Sequence, residues 1–170
     1  MALPDVIVYT LAMEPRLITL EDFAARPTGN ARLMGVDLGS KTIGLALSDV
    51  QRRIATPLET IRRQKFTSDA NAMIALAAKH AAVAFVIGLP LNMDGSEGPR
   101  VQSTKAFIRS CAALTEIPFM FWDERLSTAA VTRSLIDTDV SRAKRAEVVD
   151  KMAAAYILQG ALDRLGRLAG

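Results

Sequence analysis

"LMGVDLGSKTIGLALSD", residues 33–49, decides how this chain is read. Two apolar runs, 33–38 and 43–48, flank the turn-forming "GSKT", which predicts a β-hairpin with a four-residue connection. One residue does not suit a core strand. Asp37 sits among Leu33, Val36 and Leu38, and desolvating an unpaired carboxylate costs several kcal/mol, so it needs a proton, a cationic partner or a metal.

Working outward, residues 1–32 carry Pro4, Pro15, Pro27 and Gly29 without sustained periodicity and read as an N-terminal arm, partly ordered. Downstream of the hairpin a third strand is expected over 53–61, with Pro57 assigning it to a sheet edge. A helix capped by Ser68 should run to His80, with Met73, Ile74, Leu76 and Ala77 as its apolar face. "AVAFVIG" (82–88) is continuously apolar, the pattern of a strand buried on both faces. Pro99 suits the first turn of a helix reaching about Leu114. "IPFMFW" (117–122) is a second buried strand. A short helix is expected from about Ser127, "DTDVSR" (137–142) reads as a loop, and a long helix spans 142–165. The order βββ-α-β-α-β-α-α is an α/β fold: an antiparallel three-strand meander joined to parallel strands in one mixed sheet, covered by helices. In such sheets a site lies beyond the carboxyl ends of the parallel strands.

The chain has 170 residues, 50% hydrophobic, with mean hydropathy +0.20, which fits one domain, taken as 33–170, with a genuine core. Lys and Arg number 21 against 18 Asp and Glu, a net charge of +3 with a pI near 9.3; that excess suits nucleic acid and equally many enzymes. The single cysteine, Cys111, excludes an intramolecular disulfide and suits a reducing compartment. The first residues lack a basic segment and carry Asp5 and Glu14, a poor signal peptide. No apolar run approaches the ~20 residues that span a bilayer. A cytoplasmic protein without membrane attachment is expected.

Two further segments carry acids toward a core. "FWDERLS" places Asp123 and Glu124 directly after a buried strand, and strand alternation lets only one of them join Asp37. In "EVVDKMAAAYILQGALD", helical spacing aligns Asp150 with Ala146, Ala153, Ala154, Ile157 and Ala161, an inward stripe. Singly, each acid has an ordinary explanation: a turn cap, an ion pair with Lys41, Arg125 or Lys151, or a solvated helix edge. Together they could converge at one sheet end. Gathered carboxylates repel unless a cation lies between them, and hard oxygen ligands without histidine favour Mg²⁺ or Mn²⁺. Two-metal phosphodiester hydrolysis is the chemistry such a cluster serves best.

"GLPLNMDGSEG" (88–98) follows a buried strand, and its backbone amides, Asn92 and Ser96 could meet a nucleic-acid backbone; the ordinary alternative is an Asp94-Gly95 turn. Lys41, Arg125, Arg142, Lys144 and Arg145 are candidate phosphate contacts, with Arg52, Arg53, Arg62, Arg63 and Lys65 extending a basic track. His80 falls at a predicted helix end, and Cys111 shares a helix face with Phe107, Ile108 and Leu114. A Cys–His pair or a serine triad therefore has little support. Aromatic residues make up 5%, which argues for recognition by shape and backbone rather than base stacking.

"GVDLGSKTIGLALSD", "VIGLPLNMDGSEG", "DERLST" and "VDKMAAAYILQGALD", in that order, resemble the motifs of the YqgF family, also called RuvX-type Holliday junction resolvases or pre-16S rRNA nucleases. The resemblance spans about 33–163. It implies a ribonuclease H-like fold, with Asp37, Glu124 and Asp150 as catalytic metal ligands; Glu124 is preferred to Asp123 by that likeness alone. It further implies an endonuclease of structured nucleic acid, acting in 5′-end maturation of precursor 16S rRNA during ribosome biogenesis. The alternatives are resolution of branched DNA in recombination or a non-catalytic RNA-binding assembly role. Many relatives carry Arg where this chain has Thr42, which questions one phosphate contact. "DLGSKTIG" also resembles the nucleotide motif of actin-type phosphotransferases, but those close two related halves and this chain supplies one. A monomer or homodimer is expected, a dimer being simplest for cutting a two-fold junction.

Overall fold

Strands β1 (Arg32–Leu38) and β2 (Thr42–Ser48) pair antiparallel as the expected hairpin, with Asp37 opposite Gly44. The computed structural model describes residues 16–127 and 142–170. β3 (Ala55–Arg62) continues the meander on β2, while β4 (Ala82–Leu89) lies parallel to β1 and β5 (Phe119–Asp123) parallel to β4. The sheet order is β3-β2-β1-β4-β5. Pro57 does lie in an edge strand, beside a register shift in the β2–β3 ladder, where a missing N–H costs least.

Helices α2 (Phe66–Lys79) and α3 (Pro99–Ala112) cover one face, burying Met73, Ala77, Phe107, Ile108 and Cys111 against Met34, Val36, Ile43, Leu45, Phe85 and Ile87. The other face carries α4 (Arg142–Ala169) and a short α1 (Leu20–Ala24). Cys111 is an ordinary core thiol, its pKa pushed up to about 12 by burial. His80 ends α2, and its carbonyl accepts from Arg32. Ser68 does not cap α2. The N-cap is Lys65, whose carbonyl takes the Ser68 hydroxyl, because the chain enters the helix three residues earlier than expected.

The second half of the N-terminal arm is part of the fold. Thr19 and Asp22 close a reciprocal capping box around α1, and Leu20 and Phe23 enter the core beneath α4. Leu17 bridges Phe119 in parallel, and the Ile18 amide donates to the Phe119 carbonyl, partly covering the exposed edge of β5. α4 continues four residues beyond the expected Leu165. The short helix expected beyond Ser127 and the loop at 137–141 lie outside the described residues. No described helix is long and apolar enough to cross a membrane.

Candidate active site

α4 crosses the sheet at unusually short range because the strands beneath it lack side chains where it passes. A Cβ on Gly44 would lie 2.1 Å from the Asp150 carbonyl oxygen, and one on Gly35 would lie 2.7 Å from that of Ala154. Small residues on the helix, Ala153, Ala154 and Ala161, complete the close approach. Asp150 is thereby seated over β2 at the residue paired with Asp37.

The arrangement repeats on the other flank of Asp37. Val36 pairs with Ile87 in the parallel β1–β4 ladder, so Gly88 follows beside Asp37. A Cβ on Gly88 would meet Ile157 Cδ1 at 2.5 Å and Glu124 Oε1 at 2.6 Å, so the Ile157 and Glu124 side chains share the space that this glycine leaves open. Asp37 thus stands on the central strand, 2% exposed, with glycine on either side; Asp150 lies over one and Glu124 over the other. All three acids lie on the α4 face at the carboxyl ends of β1, β4 and β5, where an open α/β sheet places its site.

Asp123 faces away from this group and is bound elsewhere. Its carboxylate caps the 3₁₀ turn at Glu124–Leu126, accepting from the Arg125 amide at 3.0 Å, and pairs with the Arg125 guanidinium at 2.6 Å. The guanidinium hydrogen bond holds the Asp123 carboxyl below the usual carboxylate value, and Asp123 in turn raises Arg125. The alternation of strand side chains leaves Asp123 and Glu124 equivalent in sequence; the ion pair and the empty face of Gly88 separate them.

Asp37 and Asp150 line one polar cleft of about 440 Å³, together with Ser40, Lys41, Thr42 and Arg100. Lys41 is exposed at its rim. Thr42 donates its hydroxyl to Asp150 Oδ2 and so fixes that carboxylate against β2. Neither the Thr42–Asp150 bond nor the place of Arg100 in the cleft is legible in sequence, since Asp150 lies more than a hundred residues from Thr42 and fifty from Arg100. The donor set fits a hard divalent ion in kind: carboxylate oxygens, without histidine or cysteine in the cleft. Among the described residues no three such groups already stand at ion-holding distance; Glu124 lies on the same face, beside the cleft lined by Asp37 and Asp150.

The other candidates are placed differently. Asn92 and Ser96 shape their own turn: the Asn92 amide side chain donates to Ser96 Oγ at 2.9 Å, and Ser96 donates through N and Oγ to Asp94 Oδ1. Gly95 occupies φ +86 and donates to the Asn92 carbonyl, closing an Asp94-Gly95 turn. The Ser96 hydroxyl bond, then its amide, keeps Asp94 anionic below the usual range. Arg125 ties this turn to β5 by donating to the Met93 carbonyl at 3.1 Å. Much of the basic track is also engaged internally. Arg52 holds Thr28 and Gly29 and lies over Phe23, Arg62 pairs with Glu147, and Arg63 binds the Gly39 carbonyl and lies over Phe107. Arg142 and Arg145 open α4, and their side chains lie outside the described residues.

A profile of the RuvX family, described as Holliday junction resolvase, matches residues 31–164. A "Putative pre-16S rRNA nuclease" of Methylocella silvestris is 69% identical over 156 residues, covering 92% of this chain and 97% of the relative. One of the same description from Beijerinckia indica is 74% identical over 134 residues, covering 79% and 81%. Thermus thermophilus RuvC, solved with a Holliday junction substrate, shares 13% identity at a TM-score of 0.49, over 80% of this chain and 96% of that one. The profile match extends over the hairpin, the acid-bearing turn and most of α4, and both relatives exceed two thirds identity over most of their own length, so the chain belongs to the RuvX family of Holliday junction resolvases.

Proposed function

We propose that this protein is a divalent-metal-dependent endonuclease of structured nucleic acid, acting in the cytoplasm on precursor 16S rRNA. Asp37, Glu124 and Asp150 would hold Mg²⁺ or Mn²⁺. The observation that carries the reading is Asp37 flanked in register by two glycines, one overlaid by Asp150 and the other by Glu124. No packing requirement places a carboxylate at 2% exposure between two glycines, whereas an ion-binding pocket requires both the charge and the space. When bound, the ions would lower the pKa of an attacking water and neutralise charge developing on the leaving oxygen.

The chain's own residues would supply the rest. Thr42 keeps Asp150 oriented toward the cleft, Lys41 meets the incoming phosphate at the rim, and Arg125 holds the 90–98 turn in place. The rRNA assignment follows the descriptions of the close relatives, and branched DNA follows that of the family profile. Both substrates present the same phosphodiester to the acids.

The test compares a precursor 16S rRNA fragment and a four-way DNA junction as substrates, with Mg²⁺, with Mn²⁺ and with chelator. Wild type should cut the rRNA precursor only with metal. Asp37→Asn should lose roughly 10³-fold in rate, the worth of several kcal/mol of charge stabilisation, with its melting temperature kept. Full activity in Asp37→Asn would defeat the assignment. Cutting of the junction in preference would move the substrate to branched DNA.

A further inference from the structure

Two hollows meet at the β1–β2 turn. Beside the acid cleft lies a recess of about 70 Å³ walled by Leu38, Arg63, Ser103 and Thr104, and Gly39, Ser40 and Arg100 line both spaces. The cleft and the recess form one opening with opposite electrostatic ends: carboxylates beneath α4, and guanidinium and hydroxyl groups toward α3.

The two arginines of the recess are not equivalent. Arg63 is fixed in the floor: Nη1 donates to the Gly39 carbonyl at 2.7 Å, the guanidinium lies over the Phe107 ring at 5.2 Å, and Nε is 3.8 Å from the buried Asp69 carboxylate, which offsets its charge. Arg100 is exposed in the first turn of α3, and no ion pair among the described residues engages it. The Ser40 and Ser103 hydroxyls are exposed beside it. A forked cation with two hydroxyl donors around a small recess suits a phosphate group.

A nucleic-acid strand carries a negative charge about every 3.4 Å along its axis, so a strand cut in the acid cleft must place its next phosphates close by. The carboxylate walls repel them. Among the described residues, a continuous way out that offers the opposite charge runs over Ser40 to Arg100. We propose that the strand cut beside Asp37 passes over the β1–β2 turn and lodges a flanking phosphate in the Ser40–Arg100–Ser103 recess, with Arg100 as its principal contact; this rests on the nuclease reading of the cleft.

The test is equilibrium binding of a fluorescent precursor 16S rRNA fragment, and separately of a four-way junction, to the full chain in chelator between about 50 and 200 mM salt. The proteins are wild type, Arg100→Ala, Arg100→Lys and, as a control at the far end of α3, Arg109→Ala. Arg100→Ala should weaken binding several-fold and flatten the salt slope by about one charge. Arg100→Lys should recover that slope, and Arg109→Ala should match wild type. In cleavage assays Arg100→Ala should raise KM with kcat kept. An unchanged slope in Arg100→Ala, or an equal loss in Arg109→Ala, overturns the recess alone. Failure of wild type to bind either nucleic acid overturns the recess and the nuclease reading together.

Discussion

Toward α2 and α3, strands β1, β2 and β4 present Met34, Val36, Ile43, Leu45, Phe85 and Ile87, each with 0% exposure. Toward α4 the same strands begin with Leu33 and Val86 but shrink to Gly35, Gly44 and Gly88 as they approach Asp37. Large side chains on the first face hold the helices off the sheet and bury a continuous apolar layer against them. Missing side chains on the second let the α4 backbone descend, and the same gaps admit Asp150 and Glu124. One sheet therefore has one face filled by large apolar side chains and another whose gaps carry the acids proposed to act in cleavage, so substitutions on the two sides should fail in different ways.

The sharpest contrast is Asp150→Asn against Ile87→Ala. Asp150→Asn should lose roughly 10³-fold in cleavage with little change in melting temperature, because the helix backbone seats on Gly44 whatever the side chain. Ile87→Ala should cost about 3 kcal/mol in urea unfolding while turnover per folded molecule is kept. Reversal of either outcome would break the division between faces.

Gly44→Ala should show both failures in one molecule. Its methyl group cannot share space with a backbone carbonyl 2.1 Å away, so α4 must shift; a destabilisation of about 2 kcal/mol is expected, with reduced cleavage because Asp150 moves with the helix. Denaturant unfolding and a cleavage assay on the same preparation check it.

Asp123→Asn should have the smallest effect, about 1 kcal/mol, typical of a partly exposed ion pair. Its pH dependence carries the information. The Asp123 carboxyl is held below its ordinary value of 3.8, chiefly by the Arg125 hydrogen bond. Its contribution is therefore present above that value and is lost as pH falls through the lowered one. Wild type and Asp123→Asn should differ in stability at neutral pH and converge as pH falls through the lowered Asp123 value, and Mn²⁺ binding should be unaffected at neutral pH.

The apolar runs carry enough information to place the hairpin, the buried strands β4 and β5 and the three main helices, because each element buries a long regular face. α1 escapes notice because it is five residues long between prolines, although the Thr19–Asp22 spacing and the Leu20–Phe23 pair are its local signature. The three acids stand out because each interrupts an apolar pattern. The reason they share a face does not: Gly44 and Gly88 acquire meaning only once α4 and the Glu124 side chain are laid across them. Arg125 illustrates the converse. As a bare cation next to a candidate acid it suggests a phosphate contact, but in the fold it binds Asp123 and the Met93 carbonyl. Charge is legible in sequence, whereas its partner is set by tertiary packing.

The central claim is that the α4 face gathers Asp37, Glu124 and Asp150 around a divalent ion, and calorimetric titration of Mn²⁺ tests it most directly. Wild type and Asp123→Asn should bind alike, whereas Asp37→Asn, Glu124→Gln and Asp150→Asn should each lose most of the heat. Unaltered binding in Asp37→Asn, or a loss in Asp123→Asn with Glu124→Gln unaffected, would contradict the account.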